Sequence, residues 1–248
     1  MIVLKSQDEI KRMSESCRLV AETLEGIKKR VVPGITTAEI DQYAEARIRE
    51  KGAQPAFKGY RGYPATVCAS INEQVVHGIP SGKKLKNGDI LSLDIGVFFD
   101  GFYGDAAITV PVGTVSSEVM NLIKVTEESL CAGIAMAVPG NRLSDISNAI
   151  QGRAESGGYS VVRNFVGHGI GRELHEDPQI PNFGRPGEGP RLVEGMTLAI
   201  EPMVNAGGWE VKVLKDGWTA ITKDGSLSAH FEHTVAITKK GHLILTKL

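Results

Sequence analysis

The feature that constrains this chain most is an internal repeat. Val32-Pro33-Gly34 and Val138-Pro139-Gly140 stand 106 residues apart, and at the same offset Ile40 meets Ile146 and Gly52 meets Gly158. His77-Gly78-Ile79 is echoed by His168-Gly169-Ile170. Gly88 leads through an apolar run to Asp94, as Gly195 leads through another to Glu201. Each half then closes on an acid read as the start of a strand, Asp105 before AAITV and Glu232 before HTVAIT. One such match means little, because any two helix-turn-helix segments share a pattern. Five in the same order point to two similar α/β halves, approximately 1–115 and 116–248, within a single domain. Halves so related pack about a pseudo-two-fold axis, with their acidic strands face to face.

The helix pairs are read from apolar spacing and end signals. Residues 6–31 carry Ile10, Met13, Cys17, Val20 and Leu24 at helical intervals and stop at Pro33-Gly34. Thr36 or Thr37 then caps a second helix ending near Lys51-Gly52. Residues 117–137 and 143–156 repeat the arrangement around Pro139-Gly140. A Pro- and Gly-rich insertion, 178–190, belongs to the second half alone and is expected as a loop beside the site. At 248 residues the chain is near the upper limit of what one core fills.

Composition narrows the function classes. A net charge of −1 gives no electrostatic reason to bind nucleic acid. No apolar run approaches the ~20 residues of a membrane span, and the N-terminus has no apolar signal core. Cys17, Cys68 and Cys131 form no C-x-x-C pair, which argues against a disulfide framework and a structural zinc knuckle. The compartment expected from these features is the cytoplasm.

Residues 90–110, ILSLDIGVFFDGFYGDAAITV, read as a hairpin turning at Asp100-Gly101, a favoured two-residue turn. That turn pairs residues whose numbers sum to 201, so Asp94 faces Ala107 and Asp105 faces Gly96. Alternation then puts both acids on one face as diagonal neighbours, roughly 7–8 Å apart at Cα, a gap that suits one metal ion or two. Leu91, Leu93, Ile95, Ala106 and Ile108 occupy the other face and are expected in the core.

An acid inside an apolar strand costs free energy unless its charge is compensated. Taken singly, Asp94, Asp105, Glu201 within TLAIEPMV and Glu232 within HFEHTVAIT are each explained by an ion pair or an edge position. Together they occupy a duplicated pattern with few cations close in sequence, Lys212 and Arg163 being the candidates. Four converging carboxylates raise one another's pKa unless cations lie among them, and two divalent ions would balance the charge.

Four of the six histidines, His77, His168, His175 and His233, lie near an acidic strand or in the glycine-rich GHGIGRELHED segment. Spacing does not select the ligand among them. No H-E-x-x-H is present, which excludes a zincin-type helix. An oxygen-rich set with one imidazole suits Mn, Fe(II) or Co as well as Zn.

As a set, NEQVVHGIP, SLDIGVFFDGFYGD, VGHGIGRELHEDP, LAIEPMVN and SAHFEHT resemble the type I methionine aminopeptidases of bacteria, in peptidase family M24. The resemblance runs from the first helix to the last strand. It implies the pseudo-symmetric α/β fold called pita-bread, built around two divalent metal ions. By it, Asp94 chelates one metal, Asp105 and Glu232 bridge both, and His168 and Glu201 complete the shell of the other. It also implies excision of the initiator methionine from nascent proteins with a small uncharged second residue. There a metal-bridged water attacks the scissile carbonyl.

Further roles follow from the same resemblance. Glu201 is the expected proton shuttle, His175 stabilises the tetrahedral intermediate and His77 contacts the substrate amide. Phe57, Tyr60, Tyr63, Cys68, Leu174 and Trp218 are the expected methionine pocket. Three positions depart from common family patterns: Leu174 where an aromatic often stands, His230 where Gln is frequent, and Phe57 where some members have Cys. The resemblance further implies methionyl peptides as substrates, allows ribosome association, and fits a monomer that binds neither membrane nor specific nucleic acid. A proline-specific peptidase of the same fold is the nearest rival; such chains usually carry an added N-terminal domain. A metal-free binding module is the second rival, and it would have lost ligands that are all present here.

Overall fold

Capping side chains start three of the four long helices. In the computed structural model, which describes residues 1–248, α1 spans Gln7–Lys28 and α2 spans Thr37–Glu50. Ser6 and Glu9, and likewise Thr36 and Glu39, satisfy each other's backbone N–H groups in capping boxes. In the second half α3 spans Ser117–Met136 behind Ser116, and α4 spans Leu143–Ser156 behind Arg142. The expected helix pair therefore occurs twice. No helix is long and apolar enough to cross a membrane.

Both pairs pack on an antiparallel sheet whose central strands run in the order Ile90–Phe99, Phe102–Pro111, Glu232–Thr238, Thr197–Ile200, Gly167–Gly169, Glu176–Ile180. The first two form the expected hairpin. Asp100 and Gly101 both take positive φ, 49° and 83°, as a type I′ turn requires. Asp94 pairs with Ala107, and Gly96 with Asp105. One detail differs from expectation: Asp105 is the fourth residue of its strand, not the first, because pairing continues to the turn.

Two apolar cores lie side by side on one face of the sheet. Leu91, Leu93, Ile95 and Ala106 pack with Val20, Leu24 and Ile27 of α1 and with Ile40, Ala44 and Ile48 of α2. Leu198, Ile200, Val235 and Ile237 pack with Leu122, Leu130 and Ile134 of α3 and with Ile146 and Ile150 of α4. Burying each such aliphatic side chain contributes roughly 1.5–3 kcal/mol. Helices thus cover the apolar face, and the acidic face is left to line a cavity.

The 178–190 segment lies beside the site, as expected, only over its first residues. Gln179 lines the cavity, and the Asn182 side-chain amide donates to the Glu201 carbonyl at 3.0 Å. The rest lies on the N-terminus of α4, where the N–H groups of Leu143 and Ser144 donate to the carbonyls of Pro190 and Glu188. The segment therefore serves both: its first residues border the site and the remainder covers that helix end.

Candidate active site and metal centre

Strand register brings the five expected ligands together. Asp94 pairs with Ala107, and Ala107 pairs with Glu232. Since His233 pairs with Ile200, the next step in antiparallel register sets Glu201 beside Glu232. One row across the sheet therefore carries Asp94, Glu232 and Glu201. The next row on the same face, two residues along each strand, runs through Asp105, Thr234, Ala199 and His168, with His168 and Thr234 both paired to Ala199. The Thr234 hydroxyl fastens this row to Asp105, accepting from the Asp105 N–H at 3.1 Å and donating to its carbonyl at 2.7 Å.

Glycine lets the His168 strand fit. A Cβ at Gly167 would overlap the Ala199 carbonyl, and one at Gly169 would overlap that of Asp177. His168 Nδ1 lies 2.9 Å from the Gly169 carbonyl, which can only accept. The ring proton therefore sits on Nδ1, and the lone pair of Nε2 faces Glu201 Oε1 at 3.6 Å. Ligand atoms of Asp105, His168 and Glu232 all lie within 4.8 Å of one another.

Electrostatics make this cluster costly by itself. Burial and the neighbouring Glu232 and Asp94 hold Asp105 far above the usual carboxylate range. Burial with Asp94 and Asp105 does the same to Glu201, and burial with Glu201 and Asp94 to Glu232. Burial alone pushes Asp94 up to about 7. No lysine or arginine pairs with any of the four; Arg163 lies instead over the rings of Phe183 and Trp209. One oxygen each of Asp94, Asp105 and Glu232 is buried with no hydrogen-bond partner. Carboxylate oxygens and one imidazole, arranged so, fit divalent metal. Cys68 pairs with Asp94 across the strands, and burial first and Asp94 second raise its thiol.

A cavity of about 420 Å³ opens on this face and is lined by all six expected pocket residues, by His77 and His175, and by the four acids and His168. Leu174 is buried and Trp218 stands edge-on to Tyr63 at 5.1 Å. Tyr63 is itself pinned by its hydroxyl, within 3.1 Å of the carbonyl of Val67 and 3.0 Å of that of Gly78. His77 takes a left-handed backbone, φ 60°, and stands edge-on to Phe165 at 5.4 Å. Phe165, Arg61 and Gln179 also line the cavity, although no periodicity in the sequence marks them.

His175 sits on a loop held from two sides. The buried Lys5–Glu176 ion pair anchors Glu176, whose Oε1 accepts from the N–H groups of Arg172 and Glu173. The Tyr103 N–H donates to the Gly171 carbonyl at 2.8 Å. The Tyr60 hydroxyl lies 2.8 Å from His175 Nδ1, with the two rings stacked at 5.2 Å. A phenol donating to Nδ1 leaves the proton of a neutral ring on Nε2, as an oxyanion donor needs. Burial first, then His168, Arg61 and His77, lower the His175 pKa and favour that neutral form.

These shifts set a pH dependence for the metal-stripped protein. The four carboxylates have folded pKa values above their unfolded ones. Their stabilising contribution is complete below pH ~4 and is lost as pH rises through the folded values, about 7 for Asp94. His77, His168, His175, His230 and His233 are lowered, mainly by burial. Their contribution is complete above the ordinary value of 6.5 and is lost as pH falls, through about 4 for His168 and about 3 for His230. Below 6.5 the two sets oppose; above it only the carboxylates act. Thermal unfolding in chelator should therefore show Tm falling by about 4 °C or more between pH 6.5 and 8, with saturating Mn(II) shrinking the fall. A flat or rising Tm in chelator would contradict this electrostatic account.

A face of clustered carboxylates beside an aromatic cavity, on this sheet, defines a metal-dependent hydrolase. The chain belongs to metallopeptidase family M24, whose sequence model matches residues 11–239. Relatives at about half identity over nearly the whole chain are methionine aminopeptidases. The one from Clostridium perfringens is 56% identical over 99% of each chain, and one from Bacillus subtilis is 54% identical over the full length of both. The crystal structure of the methionine aminopeptidase from Thermotoga maritima superposes with a TM-score of 0.98 at 50% identity, covering both chains completely. The fold is accordingly the pita-bread fold, and the chain is a divalent-metal-dependent aminopeptidase that acts by hydrolysis.

Proposed function

We propose that this enzyme excises the initiator methionine from nascent proteins whose second residue is small and uncharged, using two divalent ions held by Asp94, Asp105, His168, Glu201 and Glu232. The observation that carries this reading is the pair of adjacent rows in the sheet, which gathers unpartnered carboxylate oxygens beside an aromatic cavity. Asp94 would hold one ion, Asp105 and Glu232 would be shared between the two, and His168 and Glu201 would hold the other. Bound there, Co, Mn, Fe(II) or Zn would acidify a water and polarise the scissile carbonyl. Phe57, Tyr60, Tyr63, Cys68, Leu174 and Trp218 receive the methionine side chain, whose burial contributes roughly 1.5–3 kcal/mol. His77 donates to the substrate amide and His175 to the developing oxyanion. Glu201, buried among acids, accepts the proton of the attacking water and returns it to the leaving amine.

The whole chain acts as one catalytic domain of two halves, 1–115 and 116–248, as a monomer in the cytoplasm and in reach of the ribosome. Its three unpaired cysteines suit a reducing compartment. Methionine release from Met-Ala-Ser should be lost on chelation and restored by added Mn(II), Co(II), Fe(II) or Zn(II), while X-Pro peptides stay intact. No release with any of these ions, or preferential X-Pro cleavage, would overturn the proposal.

A further inference from the structure

The two carboxylate oxygens of Glu201 face different neighbours. Oε1 lies 3.6 Å from His168 Nε2, and Oε2 lies 3.7 Å from Nε2 of His230, a residue outside the five-ligand set. His230 is 1% exposed, and its Nε2 is buried with no hydrogen-bond partner. Buried polar nitrogens are seldom left so, and the Glu201 carboxylate is an acceptor within reach.

Both main chains are fixed, so only the side chains need adjust. The His230 N–H donates to Thr109 Oγ1 at 2.8 Å, and that hydroxyl donates back to the His230 carbonyl at 2.8 Å. Ser92 Oγ lies 2.8 Å from the same Thr109 oxygen. His230 also pairs with Met203 across the strands, two residues beyond Glu201, whose own carbonyl is held by Asn182. A hydrogen bond of ordinary length needs Oε2 and Nε2 to close by about 0.8 Å, which a small rotation of the Glu201 carboxyl supplies.

We propose that His230 is a positioning residue for Glu201. In the metal-loaded enzyme its Nε2–H donates to Oε2, and Oε1 is left facing His168 as the ligating oxygen. Such a bond fixes which oxygen binds metal and which stays free of it. A glutamine at 230 also carries an N–H donor on a side chain of similar reach, whereas a leucine fills the space without one. The inference rests on the metal centre of the preceding section.

The test is Mn(II) titration calorimetry on chelator-stripped wild type, His230→Leu and His230→Gln. Wild type should bind two ions. His230→Leu should weaken one of them 10–100-fold, the usual effect of losing a group that orients a ligand, and His230→Gln should stay within about threefold of wild type. Equal affinity in His230→Leu, or an equal loss in His230→Gln, overturns the positioning role while leaving the metal centre standing. Wild type that binds no Mn(II) overturns both.

A second measurement needs no variant, so misfolding cannot obscure it. In protein labelled with ¹⁵N-histidine and loaded with Zn(II), His230 Nε2 should carry its proton, hydrogen-bonded and shifted downfield. A deprotonated Nε2 shifted as a metal ligand would make His230 a ligand and overturn the proposal.

Discussion

Glu232→Gln is expected to lower kcat/KM for Met-Ala-Ser by at least ~10³-fold, about 4 kcal/mol of lost transition-state stabilisation, and to reduce the bound Mn(II) below two ions per chain. Glu232 stands in the sheet row between Asp94 and Glu201, and its Oε1 is buried without a partner. A neutral amide offers one weak oxygen and cannot bridge two cations. Its NH₂ group would instead donate to the neighbouring carboxylates, and one of four mutually repelling charges would be gone. The stripped variant should therefore unfold at a higher temperature than stripped wild type at pH 8, although it has lost the metal pair. Asp105→Asn, one row away and also with an orphaned oxygen, should behave alike. Two bound ions and full activity in either variant would remove the bridging assignment.

Where residues depend on local spacing, the sequence was a sufficient guide. The Asp100-Gly101 turn sets the hairpin register, and that register sets Asp94 and Asp105 on one face. The repeat brought Glu201 and Glu232 toward Asp94 and Asp105 through a pseudo-two-fold axis, but did not show how the halves join, which is edge to edge where the Glu232 strand pairs with the Asp105 strand. Contacts between distant segments left no such trace. Tyr60 reads as one aromatic in FKGYRGYP, yet its hydroxyl meets a histidine 115 residues away. His230 stood out only as an unusual residue before FEHT, and nothing in its spacing reveals that its ring faces Glu201.

The part of the 178–190 loop that leaves the site has a clearer cause. Ser6, Thr36 and Ser116 cap the other three helices, whereas α4 begins behind Arg142, a residue with no side-chain oxygen to offer its first N–H groups. Those groups need acceptors from elsewhere, and the loop carbonyls of Glu188 and Pro190 supply them. Glycine and proline in the loop shape a cap for a helix end. The absent capping residue at 142 was the readable sign.

His175→Ala should separate transition-state stabilisation from metal binding. Removing one oxyanion donor commonly lowers kcat by about 10²–10³-fold. The ring stacks on Tyr60 and sits 4.3 Å from the His168 ring by centroid, yet it stands outside the group of Asp105, His168 and Glu232 ligand atoms. Mn(II) content should therefore stay at the wild-type value while kcat falls. KM should change far less, because a donor to the oxyanion acts chiefly after the carbonyl has been attacked. Tyr60→Phe leaves the imidazole but removes the hydroxyl at Nδ1, so it should lower kcat in the same sense by a smaller factor. If His175→Ala instead lost its metal, or kept kcat while KM rose, the residue would be a ligand or a binding contact, and the charge on the tetrahedral carbon's oxygen would have to be met by another group.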